Sequence, residues 1–127
     1  LDILLDTHVF LWWDAGAKEL SRSAAWMIAN PDNKVFVSAA SIWEIAIKRR
    51  LGKLSHSGPA VKSISDNGFF ELPVLPVDAE LAGDLEWAHH DPFDRMLVAQ
   101  ANRLNASLMT ADKVIQAFHQ VVVARAS

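Results

Sequence analysis

A chain of 127 residues, 51% of them apolar, suits one globular domain that buries about two-thirds of its unfolded surface, which excludes disorder and the need for a covalent staple. It has no cysteine, which excludes disulfide frameworks and thiolate metal sites, and its net charge of −3 excludes a general basic field for nucleic acid. No apolar run approaches the ~20 residues of a membrane span, and Asp2 and Asp6 argue against a signal peptide at the N-terminus, with the initiator expected outside these residues.

Ile3-Leu4-Leu5 is an unbroken apolar run, the pattern of a strand buried on both faces, and it stops at Asp6-Thr7-His8. Val9 to Trp13 stays apolar and predicts a short helix broken by Gly16. Ser21 to Asn30 predicts a helix with Ala24, Ala25, Ile28 and Ala29 on one side and Pro31 as its stop. Asp32-Asn33 is a turn, and Val35-Phe36-Val37 is a second buried strand ending at Ser38. A helix then runs to Leu51 with Gly52 as its cap, followed by a loop from Lys53 to Pro59. Ala60 to Asn67 predicts a helix closed by Gly68, and Phe69 to Leu75 a weaker strand interrupted by Pro73. Asp78 to Ala88 is read as a helix, then Pro92 to Asn105 as another. Ser107 to Thr110 is a strand, Ala111 to His119 a short helix, and Val121-Val122-Val123 a last strand. The alternation predicts an α/β fold in one domain over residues 1–127, a mostly parallel sheet of four to five strands with helices on both faces. In such sheets the functional crevice lies beyond the carboxyl ends of the strands.

Four acids fall at that edge. Asp94 lies in the first turn of the Pro92 helix, for which Asp91 is a good N-cap and Pro92 a good first residue. It shares a ridge with Leu97, Val98 and Ala101, so it stands at the rim of a buried face; its ordinary reading is a helix-dipole acid worth up to about 1 kcal/mol. Asp6 directly follows the first strand. Asp112 follows the strand ending at Thr110, and its ordinary reading is an N-cap. Glu44 is set among Ile42, Trp43, Ile45, Ala46 and Ile47 and should lean back toward the strand ends. Its ordinary readings are a capping box with Ser41 or an ion pair with Lys48. Each reading is adequate alone. Together the four put several negative charges on one edge, with only Arg95, Lys48 and Lys113 near them in sequence. Crowded carboxylates repel, and a divalent cation resolves the repulsion; an all-oxygen donor set suits Mg²⁺ or Mn²⁺. Such an ion neutralises a phosphodiester and activates a bound water.

The blocks Asp6-Thr7-His8-Val9-Phe10-Leu11-Trp12-Trp13, Ser41-Ile42-Trp43-Glu44-Ile45-Ala46-Ile47-Lys48, His90-Asp91-Pro92-Phe93-Asp94-Arg95-Met96-Leu97-Val98-Ala99-Gln100-Ala101 and Leu108-Met109-Thr110-Ala111-Asp112 come in this order along the chain. Together they resemble a PIN domain of the VapC toxin type. The resemblance implies a PIN-like three-layer fold and a cytoplasmic, Mg²⁺- or Mn²⁺-dependent endoribonuclease. It also implies inhibition by a cognate antitoxin, a homodimer and a toxin–antitoxin hetero-oligomer. It carries the acidic residues over to Asp6, Glu44, Asp94 and Asp112, with Thr7, Thr110 and Arg95 in supporting positions.

Other residues are weighed beside these. Lys48, Arg49, Arg50 and Lys53 form the only basic cluster, either a solvated helix end or an RNA-phosphate patch. Trp12, Trp13 and Trp43 lie close in sequence to Asp6 and Glu44 and are candidate antitoxin contacts; Trp26 and Trp87 suit core or rim. No His-x-x-x-His pair exists, so zinc is not expected, and all five histidines are assigned surface or structural roles. A receiver domain would need an acidic pair where Asp6 is followed by Thr7, and a haloacid-dehalogenase-type phosphatase would need an acid at His8. The remaining rival is a catalytically silent PIN-like protein-binding module, against which the presence of all four acids counts.

Overall fold

A computed structural model describes residues 1–127. Five strands make one all-parallel sheet in the order β3-β2-β1-β4-β5, the upper end of the expected four to five. They are β1 (Asp2–Leu5), β2 (Lys34–Ser38), β3 (Phe70–Leu72), β4 (Ser107–Thr110) and β5 (Val123–Arg125). The helices are α1 (Thr7–Ala15), α2 (Arg22–Ala29), α3 (Ala39–Arg50), α4 (Ala60–Asp66), α5 (Pro76–Asp84), α6 (Pro92–Leu104) and α7 (Lys113–Gln116). None is long and apolar enough to cross a membrane.

Alternation along β1 splits the core between the two faces of the sheet. Ile3 and Leu5 pack with Val9, Phe10, Ala24, Ile28, Ile45 and Ile64, under α1 to α4. Leu4 packs with Leu97, Val98, Ala101, Leu108 and Ile115, under α6 and α7. Burying each such large side chain stabilises the fold by about 1.5–3 kcal/mol relative to exposure. The register sets Ile3 beside both Val35 and Ser107, so the carboxyl ends of β2, β1 and β4 finish close together. The chain leaves β1 toward β2 on one side, and β4 lies on the other. This reversal opens a crevice at the ends of β1 and β4.

The predicted boundaries of α5, β5 and α7 are corrected. α5 starts at Pro76 rather than Asp78, because proline opens the helix and Asp78 sits in its first turn, accepting the Leu75 N–H at 2.9 Å. It stops at Asp84, short of the predicted Ala88, because the Arg95 guanidinium takes the carbonyls of Ala82 and Gly83 and then those of Leu85, Trp87 and His89. Residues 85–91 are thereby held as a loop. β5 begins two residues later than predicted, since the Leu108 N–H donates to Val122 O (2.8 Å) and pairing starts at Val123. α7 is confined to four residues, capped at one end by Asp112 and closed at the other by the turn at Ala117 and Phe118.

Candidate active site

Asp6 is one residue past β1 and only 6% exposed. Its backbone N–H pairs with Met109 O on β4 (3.0 Å), which fixes the carboxylate over the crevice. Thr110 Oγ1 donates to Asp6 Oδ2 at 2.6 Å and accepts the Asp112 N–H at 3.0 Å. The hydroxyl at the end of β4 therefore links the first acid to the backbone of the last. Thr7 points elsewhere: its hydroxyl donates to Ser41 Oγ (2.9 Å) and ties the start of α1 to α3.

Glu44 lies in α3 and is 7% exposed. The capping-box expectation is overturned, because the helix begins earlier. Ser38 is the N-cap, accepting the Ala40 N–H, and Ser41 lies inside the helix with its hydroxyl on Thr7. The other expectation holds: Lys48 Nζ donates to Glu44 Oε2 at 2.7 Å. That bond raises the Lys48 pKa, with Asp91 and Asp94 adding to the effect.

Asp94 is in the first turn of α6, half-buried. Asp91 caps that helix, its Oδ1 accepting the N–H groups of Phe93 (2.9 Å) and Asp94 (3.0 Å). The Asp94 carboxyl is pushed up to about 6, first by burial and then by the charges of Asp91, Asp6 and Asp112; a hydrogen bond from His89 works the other way. Burial likewise raises Asp6, against the Thr110 hydrogen bond, and Glu44 adds to the rise. Asp112 caps α7 through the Val114 N–H (2.8 Å) and is exposed. The four acids thus grade from buried Asp6 and Glu44, through Asp94, to Asp112 at the open rim.

His89 was missed by sequence reasoning. Its Nε2–H donates to Asp94 Oδ2 at 2.7 Å, so one of the five histidines belongs to the acid cluster. Arg95 supports the site indirectly. It touches none of the acids; its five hydrogen bonds to carbonyls at 2.6–3.2 Å hold the loop that carries His89. In the basic cluster Lys48 turns to Glu44 and Arg49 donates to Gly58 O (2.9 Å), while Arg50 and Lys53 are exposed. The three candidate tryptophans stand in separate settings. Trp13 donates to Asn67 Oδ1 (3.1 Å) and packs on Phe69; Trp12 lines a cleft with Leu54 and His56. Trp43 is 65% exposed and lies against Phe93 over a groove of about 340 Å³.

The acids suit a hard divalent cation by chemistry, since all donors are oxygens and two are held above the usual carboxylate range. As placed, each is partnered within the chain, and no three acidic or histidine groups converge at ligating distance.

Among solved structures the chain resembles a VapBC2 complex from Rickettsia felis bound to a promoter DNA fragment, with 11% identity, TM-score 0.72 and all of both chains covered. A toxin–antitoxin complex from Klebsiella pneumoniae aligns at 18% identity and TM-score 0.66, over 95% of this chain and 96% of that one. FitAcB from Neisseria gonorrhoeae aligns at 18% identity and TM-score 0.63, over 98% and 96%. At these identities the likeness is one of fold. No curated protein sequence matches the chain. The family model for the PIN domain matches residues 3–121. That match runs from β1 through α7 and includes all four acids, so the chain belongs to the PIN domain family.

Proposed function

We propose that this protein is a divalent-metal-dependent endoribonuclease of the VapC type, one PIN-like domain over residues 1–127 and the toxin of a toxin–antitoxin pair. The observation that carries this reading is the gathering of Asp6, Glu44, Asp94 and Asp112 around the β1–β4 crevice, two of them with raised pKa values. These four would hold Mg²⁺ or Mn²⁺, which would supply charge neutralisation at the phosphodiester and an activated water. Thr110 keeps Asp6 oriented, and Asp91 keeps Asp94 on the first turn of α6. Arg50 and Lys53 are the exposed cations left to meet RNA phosphates. The Klebsiella pneumoniae fold neighbour is described as a toxin–antitoxin complex, which supports a cognate antitoxin as partner, with Trp43 as the most exposed of the three candidate tryptophans. A homodimer, a toxin–antitoxin hetero-oligomer and a cytoplasmic setting complete the reading.

A second reading, a catalytically silent protein-binding module, is favoured by the internal partnering of the acids by Lys48 and His89. Cleavage of a structured RNA by the purified chain, with Mn²⁺ or Mg²⁺ and with chelator, separates the two. Asp6→Asn and Asp94→Asn are expected to lower metal-dependent cleavage by orders of magnitude with the fold intact. Asp91→Asn should be mild, since asparagine also caps helices well. Parent protein that stays inactive with either metal would favour the silent module.

A further inference from the structure

Three lysine or arginine residues lie near the four acids in sequence, and the fold turns two of them away. Arg95 spends its guanidinium on five backbone carbonyls, and Lys113 Nζ points to Gln116 Oε1. Only Lys48 reaches in. It sits one helical turn beyond Glu44 and its Nζ returns to Glu44 Oε2 at 2.7 Å. An ordinary i,i+4 pair joins two solvated side chains and is weak. Here the acid is buried, so water does little to solvate its charge and the ammonium is its counter-charge. The same ammonium also lies in the field of Asp91 and Asp94 from α6. From the 85–91 loop, His89 faces Asp94 and not Glu44. Lys48 is therefore the one side-chain cation bound to the Glu44 side of the cluster.

We propose that Lys48 is a tethered cation that holds the acid site in its metal-free form, and that a divalent cation binds in competition with it. The inference rests on the metal-site reading above. An oxygen of Glu44 given to the ammonium is not available to a metal ion, and a second positive charge close by is repelled. Lys48 is thus a positioning residue: its ammonium holds a buried carboxylate in place through the 2.7 Å contact, and sets how much metal is needed to displace it.

Mn²⁺ binding measured by calorimetry at neutral pH tests this, on the parent, Lys48→Met, Lys48→Gln and Lys48→Arg. Lys48→Gln leaves an N–H for Glu44 but no charge, which guards against a variant that fails to fold. Both neutral variants should bind Mn²⁺ about tenfold more tightly than the parent, and Lys48→Arg should stay within about twofold of it. In chelator Lys48→Met should melt below the parent, and saturating Mn²⁺ should close the gap. If the parent binds Mn²⁺ and Lys48→Gln binds it no more tightly, the competition is overturned while the metal-site reading stands. If neither the parent nor the two neutral variants bind Mn²⁺, both fall.

Discussion

Asp94 occupies a position where the helix dipole favours a negative charge, yet its carboxyl is pushed up to about 6 from an ordinary 3.8. Burial and three neighbouring acids outweigh the dipole and the His89 hydrogen bond. A raised carboxyl pKa means that the folded protein holds a proton the unfolded chain has released. Stability is then undiminished below about pH 4 and falls as pH rises through about 6. At neutral pH the charge costs the metal-free protein up to ~2–3 kcal/mol. Asp94→Asn removes it at nearly constant volume. In chelator at pH 7 the variant should be more stable by ~1 kcal/mol or more, a few degrees in melting temperature, and the two proteins should converge at pH 4. A variant that melts lower at both pH values would make Asp94 an ordinary dipole acid. At this scale legibility followed the range of the interaction. The cap by Asp91 was readable because capping is local. The choice between Ser41 and Lys48 for Glu44 was not, because it depended on where α3 begins. His89 was invisible because its contact crosses from the 85–91 loop to the first turn of α6, and sequence reading had placed the end of α5 at Ala88.

Arg95 shows how one side chain ends an element and shapes a loop. In sequence it is one of three cations near the acids, with a supporting position implied by the family resemblance. Instead it caps the carbonyl end of α5 and continues along the 85–91 loop, a role for a planar group with five fixed donors. That is also why the end of α5 was misplaced: apolar periodicity continued to Ala88, while the hydrogen bonds that stop the helix come from a residue outside it. Arg95→Met keeps the stem and removes all five bonds. It should destabilise the protein by ~2 kcal/mol or more, given the usual net value of bonds to a charged donor and the partial exposure of several carbonyls. Amide hydrogen exchange should accelerate over residues 82–91 while β1 and β4 remain protected. Uniform acceleration across the sheet would mean that the loop is not a separate unit. The start of α6, marked by the Asp91 cap and Pro92, was placed from sequence, whereas α5, β5 and α7 moved because contacts outside each element set at least one of their ends.

At the scale of the whole molecule the sheet edge that carries the four acids was legible because position follows from topology: in a parallel sheet every strand-to-helix turn emerges on the same edge. Surfaces obey no such rule, and nearness in sequence grouped three tryptophans that the fold separates. Trp12 and Trp13 are half-buried on the α1 side, whereas Trp43 stands out from α3 beside Phe93 of α6, over a groove shared with Val74, Pro92 and Met96. A large aromatic side chain left 65% exposed beside an apolar groove is unusual enough to mark a contact surface, and buried tryptophans are frequent centres of binding energy. Under the proposed function the antitoxin covers Trp43, and Trp43→Ala should weaken the complex by tenfold or more, which corresponds to ~1.4 kcal/mol or above. Because Trp43 packs only on the rim of the core, the melting temperature of the isolated chain should change little. Affinity for the antitoxin and the sedimentation of the chain alone need to be measured together. Weakened antitoxin binding with unchanged self-association would assign the groove to the antitoxin. Unchanged antitoxin binding with loss of a dimer would assign it to a second copy of the chain and leave the Trp12 cleft as the next surface to test.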